Sequence, residues 1–229
     1  MRKIVSFVLA LMALPAAAQA GPWYVRADAG YGWGRDAEIE DKDCGSANSA
    51  FGCGNIVTGD FGNGGVVDFG VGYQIKPWLR TDVTVAYRGG YSFDGSAGGT
   101  PVEEDLRAWT GMLSAYVDVR GLTDRKMGVF HPYVGAGIGA SNNHLGRLTA
   151  KDGSYSTPGG TETDFAWSLT AGTGIMVINK TLMFDIAYRY VDLGQASGDA
   201  GLDSFGGPVD GTKTDIQMHE VTAGLRYLF

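Results

Sequence analysis

The chain ends on a segment in which two chemically different residue sets alternate one by one. Val221, Ala223, Leu225, Tyr227 and Phe229 are apolar, and Glu220, Thr222, Gly224 and Arg226 between them are polar or small. A period of two is that of a β-strand, whose successive side chains leave opposite faces. Seven earlier segments alternate the same way, near 23–33, 65–75, 79–91, 107–119, 132–141, 164–178 and 182–192. In the second, Val67, Phe69, Val71 and Tyr73 oppose Asp68, Gly70, Gly72 and Gln74; in the third, Leu79, Val83, Val85, Tyr87 and Tyr91 oppose Arg80, Asp82, Thr84 and Arg88. A soluble barrel turns its bulky apolar set inward. A ring of eight strands encloses little room, so the small and charged set fits the inside and the apolar set faces lipid. The expected fold is all-β, an eight-stranded antiparallel transmembrane β-barrel.

The other end of the chain sets the compartment. Arg2 and Lys3 precede an apolar run at 4–14, Pro15 breaks the run, and Ala18, Gln19 and Ala20 supply the small residues of a signal-peptidase site. As a helix the run rises only ~16 Å, too short for a hydrocarbon core of ~30 Å. We therefore expect 1–20 to be a cleaved signal peptide and 21–229 to be one barrel with four long extracellular loops. No later segment approaches twenty apolar residues, so no transmembrane helix is expected. Export makes a Cys44–Cys53 disulfide the default for the two cysteines, with two free thiols the alternative. No His lies near the pair, so a metal site there is not expected.

Long and short connections alternate. The stretches 34–64, 92–106, 142–163 and 193–216 are long and polar, whereas 76–78 and 179–181 are tight and 120–131 is intermediate. Barrels of this kind keep short turns periplasmic and long loops outside, and an even strand number leaves both termini periplasmic. Eight strands of about eleven residues use only part of the chain, so strands are expected to extend above the membrane. Ten strands result if the first long loop hides a hairpin. Aromatics gather near strand ends: Trp23, Tyr73, Trp78, Phe184, Tyr227 and Phe229 at one level, and Tyr31, Trp33, Tyr91, Trp109, Phe165, Trp167, Tyr188 and Tyr190 at the other. Two such girdles mark the interfaces of a bilayer.

The run from His131 to Gly139, HPYVGAGIG, resembles a hallmark of the eight-stranded outer-membrane barrel family that includes opacity proteins and OmpA-type transmembrane domains. The runs at 171–175, 184–190 and 219–229 are similar to that family's later strands, in order. The resemblance implies the outer membrane of a Gram-negative bacterium, with outer-membrane lipids and lipopolysaccharide around the protein. It also implies that the barrel-assembly machinery reads Tyr227 and Phe229 as an insertion signal. It implies no single activity, since members include adhesins, structural proteins and narrow pores. Nothing follows the closing strand, so no peptidoglycan-binding domain is expected.

The residues that carry charge chemistry fall on the inward set. Arg26, Arg80, Arg88, Arg189 and Arg226 are expected to face Asp28, Asp68, Asp82, Asp118, Asp185 and Glu220 in the lumen. Five positive against six negative groups suits a salt-bridge core better than an open ion path, because buried charges need partners. The long connections are acidic taken together, with Asp36, Glu38, Glu40, Asp41, Asp43 and Asp60 in the first, Asp94, Glu103, Glu104 and Asp105 in the second, and Asp199, Asp203, Asp210 and Asp215 in the fourth, while the third is balanced. Polyanionic nucleic acid is therefore excluded as a partner, and a solvated surface or an extracellular protein partner is expected. No P-loop, His-Glu-x-x-His or Gly-x-Ser-x-Gly pattern occurs, and His131, His144 and His219 are scattered. The expectation is a surface protein with a structural or interaction role, no catalytic residues, no cofactor and no metal. A small passive pore is the alternative, and a lipid-modifying barrel enzyme the third reading.

Overall fold

The computed structural model describes residues 22–43, 45, 47, 57–97, 100–122, 128–152, 156–178, 181–202 and 205–229. The segment expected to be a signal peptide and both cysteines, Cys44 and Cys53, lie outside them. Eight long strands form the wall: β1 (Trp23–Gly34), β2 (Asn63–Lys76), β3 (Leu79–Ala97), β4 (Thr100–Asp118), β5 (Phe130–Leu145), β6 (Gly160–Ile178), β7 (Leu182–Ser197) and β8 (Thr212–Leu228). Each pairs antiparallel with its sequence neighbours. β1 then pairs with β8, from Tyr24 against Leu228 to Gly34 against Met218, and the ring closes. Closure leaves the membrane part of the wall without an open edge, the condition for strands to cross lipid. At the end that carries both termini the connections are short, with one helical turn, α1 (Val119–Leu122), between β4 and β5.

The strands run well past the hydrophobic band. Residues 92–106, assigned to a loop by hydropathy, are strand up to Ala97 against Thr100. The first long connection does contain a hairpin, Asp36–Asp41 against Val57–Asp60. It keeps the register of β1 and β2: Trp33 faces Asn63, and Asp36 faces Asp60. The hairpin is thus the same two strands continued, and the wall stays eight-stranded. Leu148–Ala150 and Ser156–Thr157 extend β5 and β6 in the same way.

Tyr91 departs from the sequence expectation. Parity along β3 places it beside Tyr87 in the outer girdle, yet it points inward and is buried. The pairing of β3 with β4 slips by one residue between Arg88 and Tyr91, and Gly90 there has a φ of +83°. The bulge adds a residue on one strand and swaps its faces. A second bulge, at Gly194 (φ +70°), lies between Asp192 and Gln195 on β7.

The interior has two storeys. Around the membrane band the wall shows Val71, Val83, Leu113, Ile138, Leu169 and Leu225 to the outside and polar groups to the inside. Beyond the bulges the polarity inverts. Ile39, Phe61, Tyr91, Phe93, Leu106, Leu145, Leu148, Leu193, Ile216 and Met218 are buried together inside the outer half.

Candidate functional site

The lower storey is built from the charged inward set. All eleven side chains named from the sequence (Arg26, Asp28, Asp68, Arg80, Asp82, Arg88, Asp118, Asp185, Arg189, Glu220 and Arg226) are buried inside the ring. Seven form one connected chain across it. Arg88 Nε lies 2.6 Å from Glu220, Glu220 lies 3.3 Å from Arg189, and Arg189 lies 3.0 Å from Asp68. Asp68 lies 3.7 Å from Arg26, which reaches Asp28 at 2.7 Å and Asp82 at 3.3 Å. Two further pairs stand toward the terminal end: Arg226 grips Asp185 through two bonds of 2.9 and 3.0 Å, and Arg80 meets Asp118 at 2.9 Å. Charge-assisted pairs, and bidentate ones above all, are the strong form of hydrogen bond. The partners come from β1, β2, β3, β4, β7 and β8, so the network ties distant strands across the lumen.

Three tyrosines complete this layer. Tyr116 and Tyr133 hold the Arg80 guanidinium between their rings, at 4.5 and 4.1 Å from the centroids. Arg26 donates to the Tyr116 hydroxyl at 3.0 Å, and the Tyr24 hydroxyl donates to Asp82 at 3.1 Å. Tyr24 is fully buried, and its inward position follows from the parity of β1, in which it alternates with Val25. Its place in a charge network is not legible in the sequence, where an aromatic residue on a strand reads as wall or girdle. Glycine makes room for these rings: a Cβ at Gly72 lies 2.1 Å from the Tyr24 ring, and one at Gly135 lies 2.3 Å from that of Tyr116.

The upper storey was not visible as a site in the sequence. Its apolar side chains are separated by outward charges in segments that look like acidic loops. Asn143 stitches it together by donating to the carbonyls of Leu193 and Gln195, both at 2.9 Å, across the β7 bulge. Glu104 corrects the expectation of a solvated acidic rim. It faces inward opposite Phe93, is 2 % exposed, and its Oε2 has no hydrogen-bond partner among the described residues. Burial alone pushes its carboxyl up to about 8. Asp41 is buried as well, whereas Asp36, Glu38, Asp60, Asp94, Glu103 and Asp105 stay at the surface, where Lys151 pairs with Asp94 and Lys213 lies 3.5 Å from Glu40.

At the terminal end the barrel opens into a mouth of about 420 Å³, lined by Gln74, Asp118, Arg120, His131, Met183 and Arg226. On the outside, aromatic side chains form two levels: Trp23 with Tyr73 near that mouth, and Tyr87 with Trp109, Trp33 with Tyr188, and Trp167 with Tyr190 at the far level. Phe229 N donates to Trp23 O at 3.1 Å, so the last residue sits on the closing seam.

A closed eight-strand ring with an apolar outer band, aromatic levels and a charged interior defines an outer-membrane β-barrel. The chain belongs to the outer membrane protein beta-barrel domain family, whose model matches residues 4–229. It is 30 % identical to uncharacterised proteins of Brucella suis and Brucella abortus, over 94 % of this chain and 87 % of theirs. Among solved structures it is similar to OprG from Pseudomonas aeruginosa (TM-score 0.63, 17 % identity, 92 % of this chain and 98 % of that one). It is also similar to Neisserial surface protein A (TM-score 0.52, 20 % identity, 92 % and 99 %) and to the Escherichia coli outer membrane protease OmpT (TM-score 0.55, 12 % identity, 93 % and 99 %). At these identities the likeness is one of fold. The protein resides in the bacterial outer membrane, surrounded by lipid, with the termini periplasmic and the extended strands outside.

Proposed function

We propose that the protein is a closed barrel whose function lies on its outer surface, as a structural or interaction protein, and that it neither conducts nor catalyses. The observation that carries this is the doubly filled lumen: an ion-pair network across the membrane part and an apolar core above it. A narrow eight-strand ring filled with side chains leaves no continuous water column. What remains open to partners is the rim, where Asp36, Glu38, Asp94, Glu103 and Asp105 are exposed. An acidic rim favours a basic extracellular protein partner or divalent cations.

Several finer points belong to the same reading. Cleavage after Ala20 releases the mature chain. Cys44 and Cys53 form a disulfide that closes a short extracellular segment, worth at most roughly 3 kcal/mol. The assembly machinery reads Tyr227 and Phe229, and lipopolysaccharide forms the outer lipid contact. The test is planar-bilayer recording of the refolded protein. Steps of porin size overturn the proposal in favour of the pore; their absence, together with retention of a basic protein ligand on outer-membrane vesicles and unchanged lipid A composition on expression, supports it.

A further inference from the structure

We propose that the mouth at the terminal end of the barrel is a binding site for a monocarboxylate with an apolar body, taken up from the periplasm. The site lies at the opposite end from the rim and holds whether or not the rim has a partner.

The carboxylates of the mouth are already matched. Asp185 takes two bonds from Arg226, and Asp118 takes one from Arg80. Arg120, on α1, is the charge left over, since it forms no ion pair among the described residues. Its Nη1 donates instead to the carbonyl of Gly128 at 3.0 Å and stands 2.7 Å from His131 Nε2. A guanidinium can only donate, so His131 Nε2 accepts, the imidazole is neutral, and its Nδ1 carries the hydrogen. His131 is thereby a positioning residue that braces Arg120, and the mouth carries one net positive charge. The rest of its lining is apolar where a solvated opening needs no apolar groups: Met176 from β6, Met183 from β7 and Leu228 from β8. A volume of about 420 Å³ is within the range that holds small organic ligands.

One unmatched arginine beside thioether and aliphatic side chains selects a ligand with one negative charge and an apolar remainder. A carboxylate is planar, fits the guanidinium fork and balances its charge one for one. A doubly charged phosphate brings a second charge that nothing in the mouth matches, and an ammonium is repelled by Arg120. The apolar body rests on Leu228 and on the two methionines, whose sulfurs adapt to irregular shapes and favour aromatic rings. Deeper in the lumen the Arg80–Asp118 and Arg226–Asp185 pairs block the way. The ligand therefore enters and leaves by the same mouth, and the site binds without passing its ligand on. A free acid and the C-terminal residue of an apolar peptide present the same chemistry, and the experiment separates them.

The experiment uses the full mature barrel in lipid nanodiscs, with empty nanodiscs as the blank, and follows hydrocinnamate binding by saturation-transfer NMR titration. Arg120→Gln is expected to weaken binding about tenfold, the scale of one charge-assisted hydrogen bond. Should that variant fail to assemble, Arg120→Lys keeps the charge, removes the fork, and is expected to show a smaller loss. Met176→Ser is expected to narrow the gap in affinity between hydrocinnamate and acetate, which a purely ionic contact would leave unmoved. Lys76→Gln removes an exposed cation of the neighbouring turn and is expected to change nothing. A phenylalanine-ending peptide that binds more tightly than hydrocinnamate, and loses binding when its C-terminus is amidated, supports the site with a protein chain as the source; a weaker one supports it with the free acid. Undiminished binding in the Arg120 variants, an equal loss in Lys76→Gln, equal binding of the matching amine, or tighter binding of inorganic phosphate each overturns the proposal.

Discussion

A carboxyl group placed among apolar side chains is tolerated only while it keeps its proton, and Glu104 is in that position. Its folded value near 8 stands above the ordinary 4.5. In the unfolded chain the group ionises as pH passes 4.5, whereas in the folded protein it stays protonated until about 8. The folded state therefore binds the extra proton, and stability falls as pH rises through that window, by at most about 5 kcal/mol at its upper end. Glu104→Gln should match the wild type near pH 4, lack this decline, and protect the outer half from protease at pH 9; a variant with the wild-type slope would show that Glu104 is not the titrating group. The ion pairs make a second residue-scale prediction. Arg226→Leu strands Asp185 and should cost about 3 to 5 kcal/mol in urea unfolding, while Arg226→Leu with Asp185→Leu should recover most of that loss. The inward parity of all eleven charged groups is legible from hydropathy alternation alone. Which carboxylate each arginine holds is not, because pairs such as Arg88 and Glu220 join strands far apart in sequence.

At the scale of strands, β3 and β7 change phase at their glycine bulges, while β4 and β8 keep one phase from end to end and exchange polar for apolar residues on the inward face, so the outer half escapes the hydropathy pattern of the membrane band. Below them an apolar residue points to lipid; above them an apolar residue points to the core, and the outward positions become polar because they meet water. Read with a single phase, such a segment looks like an irregular polar loop. Deleting Gly90 should restore the phase of β3 and turn Tyr91 and Phe93 outward. The membrane ring should still form, seen as heat-modifiable migration, while the segment around 91–106 becomes cleavable by protease. A deletion variant with an intact outer half would mean that the bulge is not what sets the face.

For the molecule as a whole, the apolar core and the charged network lie in series along one axis. Opening one should not open the path. Phe61→Ala, Phe93→Ala and Leu106→Ala combined should lower stability by several kcal/mol, at roughly 2 to 5 for each large side chain removed. The triple variant should still show no stable conductance in planar bilayers. A steady current from it would place the seal in the apolar storey alone.

Some properties of this protein are local enough to be written in the chain. The eight segments and the side of the wall each residue takes within the membrane follow from a period of two, because lipid and lumen impose opposite demands on neighbouring residues; the aromatic levels follow from where the rings fall along those segments. The tertiary structure decided the rest. Ring closure and continued register made the first loop an extension of β1 and β2, where the sequence left a tenth strand open. Inversion of polarity beyond the bulges created a core that no hydropathy count of separate segments contains, since it exists only when strands from opposite sides of the ring come together. That convergence buried Glu104, one carboxylate among many in a stretch that reads as acidic surface, and gathered Arg120, His131 and Arg226 at one mouth.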